Sequence, residues 1–453
     1  MKLYYNVSDR PKTGRLIVFA LQQLLAIITA TLVVPVIINQ TTGTTNMSPA
    51  AALFGAGVGT LIYVLFTKAK SPVFLGSSFA FIGSMVAAFS GGVSIALGYL
   101  GLIIGATFAG LVYVVIAIVV KLVGVNWISR LMPAAVIGPT VALIGLSLSG
   151  NAVSSLKTAN AGGHTLVAVL CGLVTLTVTI SCATYGKRIG KLIPFIFGIL
   201  AGYIFAAVLT LIGKAAGVDA LMITDFSALT DNFATITLDS FITLGIDHFV
   251  FMRALGGFSE ISAAYLGTVA VAYVPVAFVV FAEHLADHKN LSSIIEKDLI
   301  EDPGLPRTLL GDGIGSIAGA FFGGCPNTTY GESIGCVAIT RNASIYSIIY
   351  AAVSAIILSF FAPFVAFVNT IPTCVMGGVC MALYGFIAVS GLKMLQPVDL
   401  NKNRNLFVVS VILIAGVGGL VLTFGKVTLT AIATALILGI LTNLLVSRAK
   451  DEE

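Results

Sequence analysis

The sequence predicts an all-α polytopic membrane protein of fourteen transmembrane spans. The spans form two inverted seven-span repeats, and the third and tenth are each a short strand followed by a half-helix. Three observations predict this: how apolar residues are distributed, which connections carry basic residues, and two similar segments 251 residues apart.

The chain has 453 residues, of which 58% are hydrophobic and only 9% charged. A soluble domain carries about 25% charged residues. Apolar stretches of about 18 to 25 residues recur along the chain, each long enough to cross a hydrocarbon core of about 30 Å as a helix. The alternating segments of an outer-membrane barrel are absent. The first fifteen residues are polar and the apolar run after them is too long for a cleavable signal, so the first span is expected to stay in the membrane. The six cysteines form no CxxC pair and no Cys/His metal spacing; most lie in apolar stretches, as small buried residues. The net charge of +5 sits in loops between spans and does not point to nucleic acid.

Spans are read near 14–38, 50–67, 73–90, 93–120, 132–150, 165–184, 191–213, 266–290, 308–324, 329–340, 344–367, 373–392, 405–424 and 428–447. The first tail holds Lys2, Arg10, Lys12 and Arg15, and every second connection after it is basic, so that 20 of the 24 Lys and Arg fall on one side. The other side has only Lys157, Lys214, Arg253 and Lys426. The positive-inside rule then puts both termini in the cytoplasm of a cell inner membrane, in agreement with an even number of spans. The long outer connection, 214–265, carries Asp219, Asp225, Asp231, Asp239 and Asp247, and its apolar piece near 240–256 suits an interfacial helix.

Ser77-Ser78-Phe79-Ala80 in the third span is echoed by Thr328-Thr329-Tyr330-Gly331 in the tenth. The same offset carries the start of the first span onto that of the eighth. Seven is odd, so the second unit enters from the opposite side, as in many transporters. Both segments follow helix-poor residues, Ser71-Pro72 in one case and Gly323-Gly324-Cys325-Pro326-Asn327 in the other. An extended strand leading into a half-helix fits each, with two half-helix N-termini offering N–H groups to a polar ligand. Kinked helices in a packed bundle are the other reading.

Almost all nineteen acidic residues lie in loops or tails; the exceptions are Glu283, Asp287, Asp312 and Glu332. A carboxylate in a span costs roughly 2.5–3.5 kcal/mol on insertion scales and marks a substrate or proton path, or a carboxyl that only hydrogen-bonds nearby backbone. Glu283 and Asp287, four apart, share one helix face. Burial and a like charge nearby both favour the protonated form of a carboxyl, and proton coupling needs reversible protonation. Glu283, Asp287 and Asp312 are therefore the candidates for it. His284 points about 100° away from Glu283, towards a helix–helix hydrogen bond or a proton relay. His288, next to Lys289, is placed at the interface. No His–Glu cluster has metal-ligand spacing, so neither metal nor cofactor is expected. Phe79 falls opposite Tyr330 across the predicted site, where an aromatic face suits a flat heterocycle.

Several runs together resemble the nucleobase–cation symporter family, which includes uracil permeases and nucleobase–ascorbate transporters. They are Leu75–Phe81, Ala282–His284, Lys297–Leu305, Pro326–Gly335 and Ala338–Arg341, with Glu332, Gly335, Thr340 and Arg341 at the spacing of that family's signature. The resemblance covers nearly the whole chain. It implies a core domain (14–120 and 266–367), a gate domain (132–213 and 373–447), and substrate bound between the half-helices. It implies that Glu283 and Glu332 hydrogen-bond the base, that Phe79 stacks near it, and that backbone around Tyr330 and Gly331 touches it. It also implies a homodimer with gate domains in contact. Three positions depart from the familiar uracil carriers: Asp287 stands where they have His, Ser333 where Asn is usual, and Gln22-Gln23 where Gln-His is common.

The function expected is proton-coupled uptake of a nucleobase. Glu332 favours uracil over xanthine or urate, because purine carriers have Gln at that position. The alternative is a purine symporter on the same fold. An anion carrier would want positive charge at the site, where this chain has four carboxylates and no mid-span Lys or Arg. An intramembrane enzyme is disfavoured by the absence of HExxH and paired-aspartate motifs.

Overall fold

The computed structural model describes residues 3–43, 47–124, 126–243, 249–424 and 427–447. Of the residues singled out above, Lys2, Asp247 and Lys426 lie outside the described residues.

The chain begins with α1 (Thr13–Thr42), α2 (Pro49–Phe66), strand β1 (Leu75–Ser77), α3 (Ile82–Ala88), α4 (Ile95–Val123), α5 (Asn126–Leu131), α6 (Ala134–Ser147) and α7 (Ser149–Leu156). It continues through α8 (Thr165–Tyr185), α9 (Arg188–Leu192), α10 (Pro194–Ala216), α11 (Ser227–Asn232) and α12 (Val250–Ala254). Then come α13 (Ala263–Ile295), α14 (Leu305–Gly323), strand β2 (Asn327–Thr329), α15 (Gly331–Thr340), α16 (Ile345–Ser359), α17 (Ala362–Asn369) and α18 (Thr373–Met394). The last elements are α19 (Asn403–Val417), the hairpin β3 (Leu422–Phe424) and β4 (Val427–Leu429), and α20 (Ala431–Val446). Among the described residues eight helical stretches are long and apolar enough to cross a membrane, and α16, α19 and α20 are shorter apolar helices. The protein is a helical, multi-pass membrane protein.

Helix ends follow local chemistry. The hydroxyls of Ser48, Ser94, Ser262 and Thr430 accept backbone N–H bonds from Ala51, Leu97, Tyr265 and Ala433, three residues on, at 3.1–3.3 Å. Gly43 and Gly324 end α1 and α14 in the left-handed region, at φ 67° and 78°. Two expectations change. The stretch 344–367 is not one helix: Pro363 has no N–H to continue the ladder and instead opens α17. The break is held by the connection before α13, through Thr243 N to Phe360 O (2.9 Å) and Ala362 N to Phe241 O (3.0 Å). The piece near 240–256 is not one interfacial helix either; its described residues form short turns, including α12 and Leu255–Glu260.

The third and tenth stretches contain strands. β1 and β2 pair antiparallel, Leu75 with Thr329, Gly76 with Thr328 and Ser77 with Asn327. Two strands of three residues leave many backbone groups unpaired, which hydrocarbon does not tolerate. Neighbouring groups supply the rest. Thr60 Oγ1 of α2 accepts from Leu75 N (2.9 Å) and donates to Leu75 O (3.1 Å). Ser333 Oγ of α15 accepts from Phe74 N at 2.9 Å. Tyr330 N reaches Phe74 O (3.2 Å) and Ser78 N reaches Pro326 O (2.9 Å). Because the strands are antiparallel, α3 and α15 leave the crossing in opposite directions.

Glycines hold α2 and α14 together. A Cβ on Gly55 would sit 2.5 Å from Gly319 O, and one on Gly59 2.7 Å from Gly315 O. This is the small-residue packing that lets membrane helices approach backbone to backbone. Asn327 of β2 fills the slot the glycines leave, its Nδ2 donating to Gly55 O at 2.9 Å. The remaining helices pack chiefly in two sets. In one, α2 packs on α14 and α16, α4 on α13 and α14, and α1 on α16 and α15. In the other, α18 packs on α6, α7 and α8, α8 on α10, and α19 on α20 and α6.

Candidate functional site

The strand crossing borders a cavity of about 450 Å³ between these two sets. Phe79 and Ser78 reach it from the segment after β1, and Thr328, Thr329, Tyr330, Gly331 and Glu332 from β2 and the start of α15. Glu283 and Asp287 reach it from α13, and Phe195, Phe386, Ser390 and Met394 close the side formed by α10 and α18. A second cavity, about 860 Å³, lies among α1, α10, α17 and α18, but no titratable side chain lines it.

Each polar group arrives for a local reason. The i, i+4 spacing puts Glu283 and Asp287 on one face of α13, and Thr329 Oγ1 donates to Asp287 Oδ2 at 2.8 Å, tying that face to β2. Tyr330, extended at φ −106° and ψ 122°, caps α15 without a side-chain hydrogen bond, so the N–H groups of the first turn keep their capacity for a ligand. Glu332 lies in that first turn, where the helix dipole favours an acidic side chain. Gly331 leaves open space: a Cβ there would meet nothing within 4 Å.

The other face of α13 carries imidazoles. His284 is fully buried, with Nδ1 2.7 Å from Asp312 Oδ2 and Nε2 3.0 Å from Thr308 Oγ1. His288, expected at the interface, is instead 1% exposed. It lies under α2, its Nε2 2.6 Å from Tyr63 OH. Tyr63 in turn donates to Ser71 Oγ at 2.7 Å. Side chains from α2 and α14 enclose the rings, Tyr63 against His288 and Thr308 and Asp312 against His284.

Of the sequence candidates, Phe79, Glu283, Asp287, Tyr330, Gly331 and Glu332 line one cavity. Asp312 does not: it is fully buried one layer behind, against His284. The Tyr330 ring does not face Phe79 as a second wall. It packs under β1, where its hydroxyl donates to Ser77 O at 2.7 Å, and the edge-on partner of Phe79 is Tyr384 of α18, with centroids 6.2 Å apart. Sequence reasoning missed Tyr384, Ser390 and Lys191, which belong to the other helix set. Tyr384 and Ser390 sit in a span with no motif, and Lys191 in a basic connection. Among the described residues no group of three His, Cys, Asp or Glu side chains is arranged to hold a metal ion.

A helical membrane protein with a polar cavity at a crossing of broken spans is built as a carrier. A family model described as "Permease family" matches residues 14–425, and the chain belongs to that family. Relatives agree over nearly their whole length. The uracil permease of Bacillus caldolyticus is 37% identical, over 97% of this chain and 94% of that one. The uracil permease of Bacillus subtilis (strain 168) is 36% identical, over 100% and 97%. The uracil permease of Escherichia coli (strain K12) is 35% identical, over 96% and 92%. Two solved structures share the fold. The transmembrane domain of a cyanobacterium bicarbonate transporter has a TM-score of 0.60 at 14% identity, covering 97% of this chain and 99% of that one. A murine solute carrier 26 anion transporter in the inward-facing state has a TM-score of 0.64 at 12% identity, covering 97% and 69%. The protein is a transporter, not an enzyme.

Proposed function

We propose that the protein imports uracil together with a proton across the inner membrane. The observation that carries this reading is the convergence of Glu283, Asp287 and Glu332 with Phe79 on one cavity, in a chain 35–37% identical to proteins named uracil permease. Uracil presents alternating N–H donors and C=O acceptors on a flat ring. Glu283 and Glu332 accept from its N–H groups, the backbone N–H groups at Gly331 and Glu332 donate to a carbonyl, and Phe79 covers its face.

Asp287 and Glu283 exchange the coupled proton, and Asp312 steadies the opposite face of α13 through His284. In this scheme the chain has fourteen spans in two inverted repeats, with both termini in the cytoplasm. The set built on α1–α4 and α13–α16 is the moving core, and the set built on α6–α10 and α18–α20 is the gate, paired with a second copy in a homodimer. Binding shifts the core against the gate, and release follows inside.

The test is uptake of labelled uracil into proteoliposomes, with and without an inward proton gradient, against unlabelled uracil, xanthine, adenine and guanine. Gradient-driven uptake for which only uracil competes strongly is the expected result. Stronger competition by a purine would reassign the substrate, and indifference to the gradient would reassign the coupling ion. Glu332→Gln should lose uracil binding by about 100-fold, the scale of one buried charge-assisted hydrogen bond; full uptake in this variant would overturn the role of Glu332.

A further inference from the structure

Among the described residues, the cavity that carries three carboxylates is lined by a single basic side chain, Lys191 at the end of α9. Its position is fixed by its neighbour. Leu192 is buried against Ala26 of α1 and Cys336 of α15, so the short helix α9 is anchored to the half-helix that bears Glu332. Lys191 itself stays exposed at the cavity rim. It comes from the helix set opposite to the one that supplies the carboxylates, on a connection that the basic-residue pattern assigns to the cytoplasm.

Resting on the uracil–proton reading above, we propose that Lys191 is the counter-charge of the empty site. When the base has left and the coupled proton has passed to water on the cytoplasmic side, the site holds negative charge with no cargo. Carrying that charge through a low-dielectric barrier is costly. The Lys191 ammonium, on a flexible four-carbon stem, then pairs with the carboxylates across the rim and bridges the two helix sets. The unloaded carrier can thereby return. The loaded carrier depends on this partner less, because the coupled proton removes one of the negative charges of the site.

Lys191→Gln and Lys191→Arg in proteoliposomes test this. Two fluxes are compared: net uptake, which needs the empty carrier to return, and exchange of labelled for preloaded unlabelled base, which does not. Lys191→Gln should slow maximal net uptake about fivefold, the upper scale for a partly solvated ion pair. It should leave exchange and KM as in the wild type, and Lys191→Arg should restore net uptake. Equal loss in both fluxes, unchanged net uptake, or no rescue by arginine would overturn the proposal. The exchange assay uses whichever base of the panel the wild type exchanges, so a wrong choice of base shows in the wild type and a wrong role for Lys191 only in the variants.

Discussion

Removing one hydroxyl, in Ser333→Ala, should loosen the strand crossing in a measurable way. Ser333 and Phe74 are both fully buried, and Ser333 Oγ accepts from Phe74 N at 2.9 Å as well as from the Gln23 side-chain amide. Alanine leaves the Phe74 N–H without an acceptor where water does not reach. An orphaned buried donor costs about 1–3 kcal/mol. The Gln23 amide loses less, because its Nε2 also lies 3.2 Å from Ser333 O. The expected destabilisation is therefore about 2 kcal/mol. Thermal unfolding of the purified protein in detergent reads the loss directly, and binding calorimetry with uracil reads how much of it reaches the site next door at Glu332. Ser90→Ala is the control: that hydroxyl is exposed and only donates to Val86 O at 2.9 Å, so its loss should stay within about 0.5 kcal/mol. If Ser333→Ala unfolds like the wild type, the hydroxyl is not what satisfies the start of β1 and the argument for the crossing fails.

Two further outcomes are expected. Gly319→Ala would put a Cβ 2.4 Å from the Asn327 side chain, which Gly55 O already pins; overpacking of this kind costs about 1–3 kcal/mol, whereas Gly83→Ala meets nothing within 4 Å and should not destabilise, both read by the same thermal assay. Asp312→Asn weakens the pairing with His284 but touches no cavity wall. Stability and maximal uptake should fall while KM stays within about twofold, and a large rise in KM in transport assays would show that Asp312 meets the substrate.

The interruptions of the two broken spans were legible in the sequence because Pro, Gly and hydroxyl residues are poor helix formers wherever they occur. The carboxylates of α13 and α15 were legible because charge in an apolar run is costly and therefore conspicuous. What stayed hidden depends on contacts between distant residues. Nothing local in Leu75–Ser77 says that it pairs with Asn327–Thr329, and nothing in Tyr330 says that its hydroxyl is taken by Ser77. The burial of His288 follows from the Tyr63 side chain that reaches it from α2, a distant contact which its neighbour Lys289 disguised. The wall opposite the carboxylates, with Phe386, Ser390 and Lys191, carries no motif, since a cavity wall needs only a shape that accommodates the other side.

The pairing of β1 with β2 also constrains how the protein is made. The partner residues, such as Ser77 and Asn327, are 250 positions apart, and a chain is synthesised at about 5–20 residues per second. For many seconds the first half is in the bilayer while its strand has no mate. During that time Thr60 and the neighbouring helices must satisfy what backbone they can, and the segment is open to mispairing or to quality-control proteases. The crossing can therefore form only after β2 has been made. A nascent chain truncated before Asn327 should be recognisably immature however many helices it has already inserted.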